Sequence, residues 1–213
     1  MKPDIASLRR EYAKEKLEIE TVAKNPVAQF ELWFMEALSA NMPEVNAMTL
    51  STVTETGRPT SRIVLLKGVE NDRFVFFTNY QSNKGRELEA NPYCALNFLW
   101  VELERQVRIE GVASRISEER SAEYFRSRPR GAQIGAWASP QSSVVTSRDL
   151  LESRYSELES RFKESEIPKP RQWGGYEVDP FLIEFWQGRQ NRLHDRILFI
   201  KSDNTWDIRR LAP

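Results

Sequence analysis

The sequence has one cysteine, Cys94, and one histidine, His194. A single thiol excludes an internal disulfide and any Cys-rich metal site, and a single imidazole excludes the usual paired-histidine metal centres; no metal is expected. Excess charge is also missing, with 31 Lys plus Arg against 31 Asp plus Glu. Bulk attraction for nucleic acid or for an anionic membrane is therefore absent, and any anion must be caught by a local cluster of basic groups. No apolar run approaches the roughly 18 residues of a membrane span. Residues 1–16 are polar and charged, without the apolar stretch of a signal peptide. The expectation is a cytoplasmic, reduced protein that does not engage membrane or nucleic acid. A G-x-G-x-x-G turn, a P-loop and a G-x-S-x-G elbow are all lacking, as are internal repeats and low-complexity tracts.

What is present suits a folded, β-rich chain. A length of 213 residues buries about two thirds of its unfolded surface without staples, and aromatic residues make up 11%. After a charged opening segment, Asn25-Pro26 reads as a helix start. Val27, Phe30, Phe34 and Leu38 follow at helical spacing, and the helix ends by Pro43. Strands are expected over 47–54, 61–66, 73–78, 93–101 and 106–116, with a short helix over 82–90. Five strands about ten residues apart argue for an antiparallel meander or Greek-key barrel. Ser117-Glu118-Glu119 opens a further helix. Leu151, Tyr155, Leu158 and Phe162 give another an apolar face between 147 and 163. Strands return over 181–187, 192–201 and 205–210. The reading is one domain, mainly β with flanking helices (α+β).

Four stretches are unlike plain scaffold, and each has a plain reading beside a functional one. Arg62-Ile63-Val64-Leu65-Leu66-Lys67 is a strand with a cation at either end; alternation puts the two on opposite faces, and charges commonly mark a strand's wet ends. Thr78 to Gly85 runs into a helix N-terminus beside Lys84, which suits either a phosphate or an ordinary cap. Tyr124-Phe125-Arg126-Ser127-Arg128-Pro129-Arg130 holds three arginines at a helix end, for an anion or for the helix dipole. In the fourth stretch, Phe185 to Arg196, a strand would project Arg192, His194 and Arg196 from one face. Their mutual repulsion calls for an anion or an acidic partner among them and tends to keep His194 neutral. Spacing alone reaches a β-barrel that holds a ligand with phosphate groups and flat rings.

The combination is more specific than its parts. Arg62-Ile-Val-Leu-Leu-Lys67, Leu103-Glu-Arg-Gln106-Val, Ser127-Arg-Pro-Arg130, Gln133-Ile-Gly-Ala-Trp137, Gln141-Ser-Ser143, Trp173-Gly-Gly175 and Ile183-Glu-Phe-Trp186 through Arg192-Leu-His-Asp-Arg196 resemble pyridoxine (pyridoxamine) 5′-phosphate oxidases in order and spacing. The resemblance runs from about residue 8 to the C-terminal Pro213. It implies a single FMN-binding split β-barrel of Greek-key type over 1–213, with an N-terminal arm (1–24) and a helix (147–165) packed on the barrel. It further implies a homodimer with FMN in clefts between subunits. The implied reaction oxidises pyridoxine 5′-phosphate or pyridoxamine 5′-phosphate to pyridoxal 5′-phosphate, by hydride transfer to FMN and reoxidation by O2 giving H2O2, in vitamin B6 biosynthesis and salvage.

Carried over residue by residue, the FMN site comprises Arg62, Ile63, Val64, Leu65, Leu66, Lys67, Phe77, Thr78, Lys84, Gln106, Gln141, Ser142, Trp186 and Arg196. Substrate contacts are Arg9, Tyr12, Lys67, Tyr124, Arg128, Arg192, Leu193 and His194, with Arg192 and His194 as the catalytic pair over the substrate ring. Three positions depart from the pattern: Asn83 where an arginine is frequent, Phe77 for a tyrosine, and Ala132 for a serine that commonly helps hold the substrate phosphate. The alternative from another class is a non-catalytic flavin-binding split-barrel carrier, which has no need of a second phosphate clamp.

Overall fold

The computed structural model describes residues 11–203 and 205–213; Arg9 lies outside them. The described residues contain five α-helices and nine strands, hydrogen-bonded in the order β2-β1-β5-β6-β7-β4-β3 with β8 on β7 and β9 on β8. They group into two compact units: residues up to Thr49, Ala95–Gly111 and Pro180–Pro213 in the first, Leu50–Cys94 and Val112–Asp179 in the second. Each of the four crossings falls inside a strand: β1 (Ala47–Val53), β5 (Tyr93–Trp100), β6 (Arg105–Arg115) or β7 (Trp173–Gln187).

In the first unit, α1 (Pro26–Ser39) starts where Asn25 Oδ1 accepts the N–H groups of Val27 (2.7 Å) and Ala28 (3.4 Å), with Pro at the first helical position. Its buried stripe is Val27, Phe30, Trp33 and Ala37, not the expected Val27, Phe30, Phe34 and Leu38, and Leu38 is 47% exposed. Both series have helical spacing; packing decides between them. Phe30 meets Phe98 at 5.0 Å and Trp33 meets Phe185 edge-on at 5.2 Å, contacts that fix the helix's rotation. The C-terminal ribbon pairs Leu182–Gln187 of β7 with β8 (Asp195–Ser202), which then pairs with β9 (Thr205–Arg210).

In the second unit, β2 (Pro59–Leu65) is followed by a three-residue strand, β3 (Gly68–Glu70), that the sequence does not signal. β3 pairs with β4 (Arg73–Asn79), and β4 with Trp173–Val178 of β7. α2 (Asn83–Ala90) and α3 (Glu118–Ser127) are capped by Ser82 and Ser117, whose hydroxyls accept the Gly85 and Arg120 N–H groups. α4 (Arg130–Ala138) is a helix the sequence hides, because Gly131 and Gly135 dilute its pattern. With α5 (Arg148–Arg161) it builds a satellite core of Phe125, Ile134, Phe162, Ile167 and Trp173, against which Tyr155 and Leu158 pack.

Two strand boundaries correct the sequence reading. β7 begins at Trp173 rather than 181; Pro180, with no N–H to donate, falls between the stretch paired with β4 and the stretch paired with β8. β8 begins at Asp195 rather than 192, because Gln190–Arg192 form a 3-10 turn with Asn191 (φ 54°) and Arg192 (φ 60°) left-handed. Arg192 and His194 therefore do not share a strand face with Arg196.

Candidate active site

The second unit contains a cavity of about 470 Å³. Ile63, Val64, Leu65 and Lys67 border it from the end of β2 and just beyond, and Phe77 and Thr78 from β4. Lys84 comes from α2, Tyr124 from α3, Arg128, Ala132, Gly135 and Ala136 from the α3–α4 corner, and Gln141 from the following loop. Its described lining holds three cations, Lys67, Lys84 and Arg128, and no carboxylate. Packing like charges into one concavity is unfavourable unless an anion joins them.

One wall is a stack of rings. Phe77 packs near-parallel to Tyr124 (3.9 Å, 19°) and to Trp173 (5.3 Å, 11°), and Tyr124 and Trp173 are themselves near-parallel at 6.2 Å (8°). Arg128 covers the stack's Trp173 at 4.7 Å and faces Phe125 at 5.6 Å. Its Nη1 is buried with no hydrogen-bond partner, the single such side-chain atom among the described residues. Burial also pulls the Arg128 guanidinium below its ordinary range. The motif Trp173-Gly-Gly175 carries the family resemblance without giving Trp173 a role, and the structure places its ring in the cavity wall. Its glycines admit the packing: a Cβ on Gly175 would come within 2.5 Å of Ile116 Cδ1.

At the helix start, Gln141 Oε1 accepts from Thr78 Oγ1 (3.2 Å) and Lys84 Nζ (3.4 Å). Burial, then the charge of Arg62, holds Lys84 below the usual lysine range against the opposing Glu87. Arg62 itself does not line the cavity. Its Nη2 donates to Glu87 Oε2 (2.9 Å) and Thr60 Oγ1 (2.7 Å), and its Nη1 donates to Thr52 and to the Leu50 carbonyl. Burial would raise Glu87, but hydrogen bonds from Thr52, Thr60 and Arg62 outweigh it and hold the carboxyl below its ordinary value. Leu66 is buried, and Ser142 sits at φ 71° in the loop after Gln141, outside the cavity lining.

The first unit gathers the other named residues. Trp186 lies 4.6 Å from His194, and Tyr12 meets both rings edge-on at 5.8 and 5.9 Å. His194 Nδ1 accepts the Arg189 N–H at 3.1 Å, so the neutral ring carries its proton on Nε2. Burial, then the charge of Arg192, lowers the His194 pKa below 6.5, with Asp195 opposing. The expected neutrality follows, with burial ahead of repulsion as its cause. Arg196 is held by buried Glu184, Nε to Oε1 at 2.7 Å and Nη2 to Oε2 at 3.1 Å, with Arg108 on the same carboxylate at 3.2 Å. Gln106 Nε2 donates to Asn97 Oδ1 at 2.6 Å, and Leu193 is 70% exposed.

A cation-lined cavity beside stacked rings suits a phosphorylated aromatic ligand. The family model for pyridoxamine 5′-phosphate oxidase matches residues 34–162. The chain belongs to the pyridoxamine 5′-phosphate oxidase family. It is accordingly an oxidoreductase with the family's α+β split-barrel fold. A second family model, the pyridoxine 5′-phosphate oxidase C-terminal dimerisation region, matches residues 173–213. The chain is 57% identical over 212 residues to a pyridoxine/pyridoxamine 5′-phosphate oxidase of Burkholderia thailandensis, covering 98% of this chain and 99% of that one. It is 56% identical, at the same coverage, to a Burkholderia mallei protein of that name. Among solved structures it resembles PhzG from Burkholderia lata, in complex with tetrahydrophenazine-1-carboxylic acid (TM-score 0.86, 28% identity, 91% of this chain and 95% of that one). It also resembles a pyridoxamine 5′-phosphate oxidase-related, FMN-binding protein of Nostoc punctiforme (TM-score 0.70, 17% identity, 86% and 97% covered). In the described residues no helix is long and apolar enough to cross a membrane.

Proposed function

We propose that this protein is a cytoplasmic, FMN-dependent oxidase that converts pyridoxine 5′-phosphate and pyridoxamine 5′-phosphate to pyridoxal 5′-phosphate, for vitamin B6 biosynthesis and salvage. It acts as a homodimer with FMN in clefts between the subunits. The alcohol and O2 give the aldehyde and H2O2; the amine, O2 and water give the aldehyde, ammonia and H2O2. The observation that carries this reading is Arg128, which lines a cavity with two lysines and no carboxylate and whose Nη1 is buried without a hydrogen-bond partner. A buried donor without a partner is disfavoured unless a ligand satisfies it, and a phosphate oxygen does so. A flavin carrier without turnover gains nothing from such a group.

When bound, FMN supplies the two-electron acceptor and the route to dioxygen. Ile63, Val64, Leu65, Lys67, Phe77, Thr78, Lys84 and Gln141 line the cavity that receives it, with Arg62, Leu66, Gln106, Ser142, Trp186 and Arg196 completing the FMN set. Lys67, Tyr124 and Arg128 clamp the substrate phosphate; Arg9, Tyr12, Arg192, Leu193 and His194 cover the substrate. Holding the reacting carbon against the acceptor at near-contact distance is the protein's main contribution. The Arg189 N–H on Nδ1 leaves His194 presenting an Nε2–H donor, and a guanidinium always remains protonated. His194 and Arg192 therefore orient the alcohol or amine by donation, and water takes the departing proton.

The test is an absorbance spectrum of the purified, FMN-loaded protein without oxygen, before and after pyridoxine 5′-phosphate or pyridoxamine 5′-phosphate. Bleaching, then recovery in air with one peroxide per aldehyde, is the expected result. A flavin band that neither substrate bleaches establishes the carrier instead.

A further inference from the structure

Residues 12–18 form no helix or strand of their own, so something else must hold them against the first unit. Tyr12 rests on Trp186 and His194, and it lies so close to Gly188 that a Cβ there would come within 2.8 Å of Tyr12 Cβ. The next two backbone N–H groups, of Ala13 and Lys14, both donate to one atom, Glu104 Oε2, at 2.8 and 3.1 Å. The Lys14 ammonium donates to the Glu102 carbonyl, and the Leu17 N–H donates to Asp195 Oδ2 at 3.1 Å.

Glu104 is an unexpected residue for its position. Its backbone is left-handed (φ 56°, ψ 39°), a conformation in which a side chain with a Cβ is disfavoured and glycine is preferred. It is also 4% exposed, and a buried carboxylate is disfavoured unless hydrogen-bonded. The turn needs only its backbone, through the Glu104 N–H to the Val101 carbonyl (3.1 Å) and the Gly188 N–H to the Glu104 carbonyl (2.7 Å). Turn formation thus accounts for neither anomaly, and the two arm N–H groups account for both.

We propose that Glu104 is a positioning residue of the oxidase: its carboxylate clamps the backbone of residues 13–14 so that Tyr12 is held against Trp186 and His194. This rests on the reading of Tyr12 and His194 as substrate contacts. Closure then sets substrate affinity, because substrate binds well only to the fraction of molecules with Tyr12 in place.

Two variants test it in the FMN-loaded enzyme. Glu104→Gly removes the carboxylate at a backbone conformation that suits glycine, and Glu104→Gln keeps an acceptor oxygen without the charge. In Glu104→Gly, trypsin should cleave after Lys14 and Lys16 at least about tenfold faster than in the wild type, the factor that one charge-assisted hydrogen bond represents. KM for pyridoxine 5′-phosphate should rise by a similar factor, with a much smaller change in kcat, and Glu104→Gln should fall between. Cleavage rates and KM equal to wild type in Glu104→Gly overturn the proposal and leave Glu104 a turn residue. Should that variant not fold, Glu104→Gln carries the same test, and wild-type values there overturn it equally. Wild-type protein without oxidase activity but with the cleavage difference intact would sink the oxidase reading and leave the clamp standing.

Discussion

Replacing Arg128 by methionine should separate function from stability. In the ligand-free protein the arginine has one favourable and one unfavourable contribution. Its guanidinium lies 4.7 Å from the Trp173 ring and 5.6 Å from the Phe125 ring, cation–π contacts together worth about 0.5–2 kcal/mol. Its buried, unpartnered Nη1 costs about 1–3 kcal/mol. Methionine removes both and keeps much of the side-chain volume, so the net change lies between about 1 kcal/mol lost and 2.5 gained. For a protein of this size 1 kcal/mol moves the midpoint by about 2–4 °C. The ligand-free Tm should therefore fall by no more than about 4 °C and can rise. Substrate binding should move the other way. Losing a charge-assisted hydrogen bond to phosphate costs about 1.5–3 kcal/mol, or roughly 10- to 150-fold in KM for pyridoxine 5′-phosphate. Thermal unfolding of the ligand-free protein and steady-state kinetics of the FMN-loaded enzyme measure the two effects. A fall of about 8 °C or more with KM within threefold of wild type would make Arg128 a packing residue and refute the phosphate clamp.

Three further outcomes follow from individual groups. The His194 pKa is depressed below 6.5, so the unfolded chain binds more protons between the folded value and 6.5; this contribution to stability is full above 6.5 and is lost as pH falls toward the folded value. The Tm of wild type relative to His194→Asn should accordingly fall from about pH 7.5 to about 5.5, and a rise would contradict the assigned neutral ring. Glu184→Gln should cost about 2 kcal/mol, below the 3–5 of a fully buried pair, because the partners Arg196 and Arg108 are 24% and 46% exposed; the variant should also weaken FMN binding, and unchanged Tm and FMN affinity would show that Arg196 needs no such support. Burial pushes the Cys94 thiol up to about 12, so iodoacetamide at about pH 8 should label it only after unfolding, and rapid labelling of the native protein would refute the burial.

Local chemistry made much of the fold legible. Asn25, Ser82 and Ser117 mark helix starts, and each caps its helix through a side-chain oxygen. Where a feature depends on distant contacts, local chemistry fails. The series containing Phe34 and Leu38 and the series containing Trp33 and Ala37 fit the same period, and contacts such as Trp33–Phe185 choose the second. Pro180 looks like a strand breaker, yet β7 continues through it where its hydrogen-bonding partner changes. The turn at Asn191-Arg192 has no glycine to announce its left-handed backbone. The clamp from Glu104 to residues 13–14 spans about ninety residues of sequence, and no pattern at either end signals the other. For the site, spacing yields scattered cations, and resemblance supplies the list. The cavity brings together Lys67, Thr78, Lys84, Tyr124, Arg128 and Gln141 and adds Trp173.

The three departures from the family pattern have different consequences once their surroundings are known. Phe77 packs near-parallel to two rings, Tyr124 at 3.9 Å and Trp173 at 5.3 Å, and these ring contacts use no tyrosine hydroxyl. Asn83 Oδ1 accepts Arg86 Nη2 at 2.7 Å; position 83 thus organises the start of α2 instead of presenting a cation, and Lys84 is the cation that α2 contributes to the cavity lining. Ala132 borders the same cavity with a methyl group, and this substitution concentrates function. Without a hydroxyl there, the charged donors of the cavity are Lys67, Lys84 and Arg128, and only Arg128 has a buried donor without a protein partner. The loss of one neutral hydrogen bond, worth about 1 kcal/mol, therefore makes the proposed phosphate clamp depend more on a single guanidinium, which is why Arg128 is the residue whose removal should separate binding from folding.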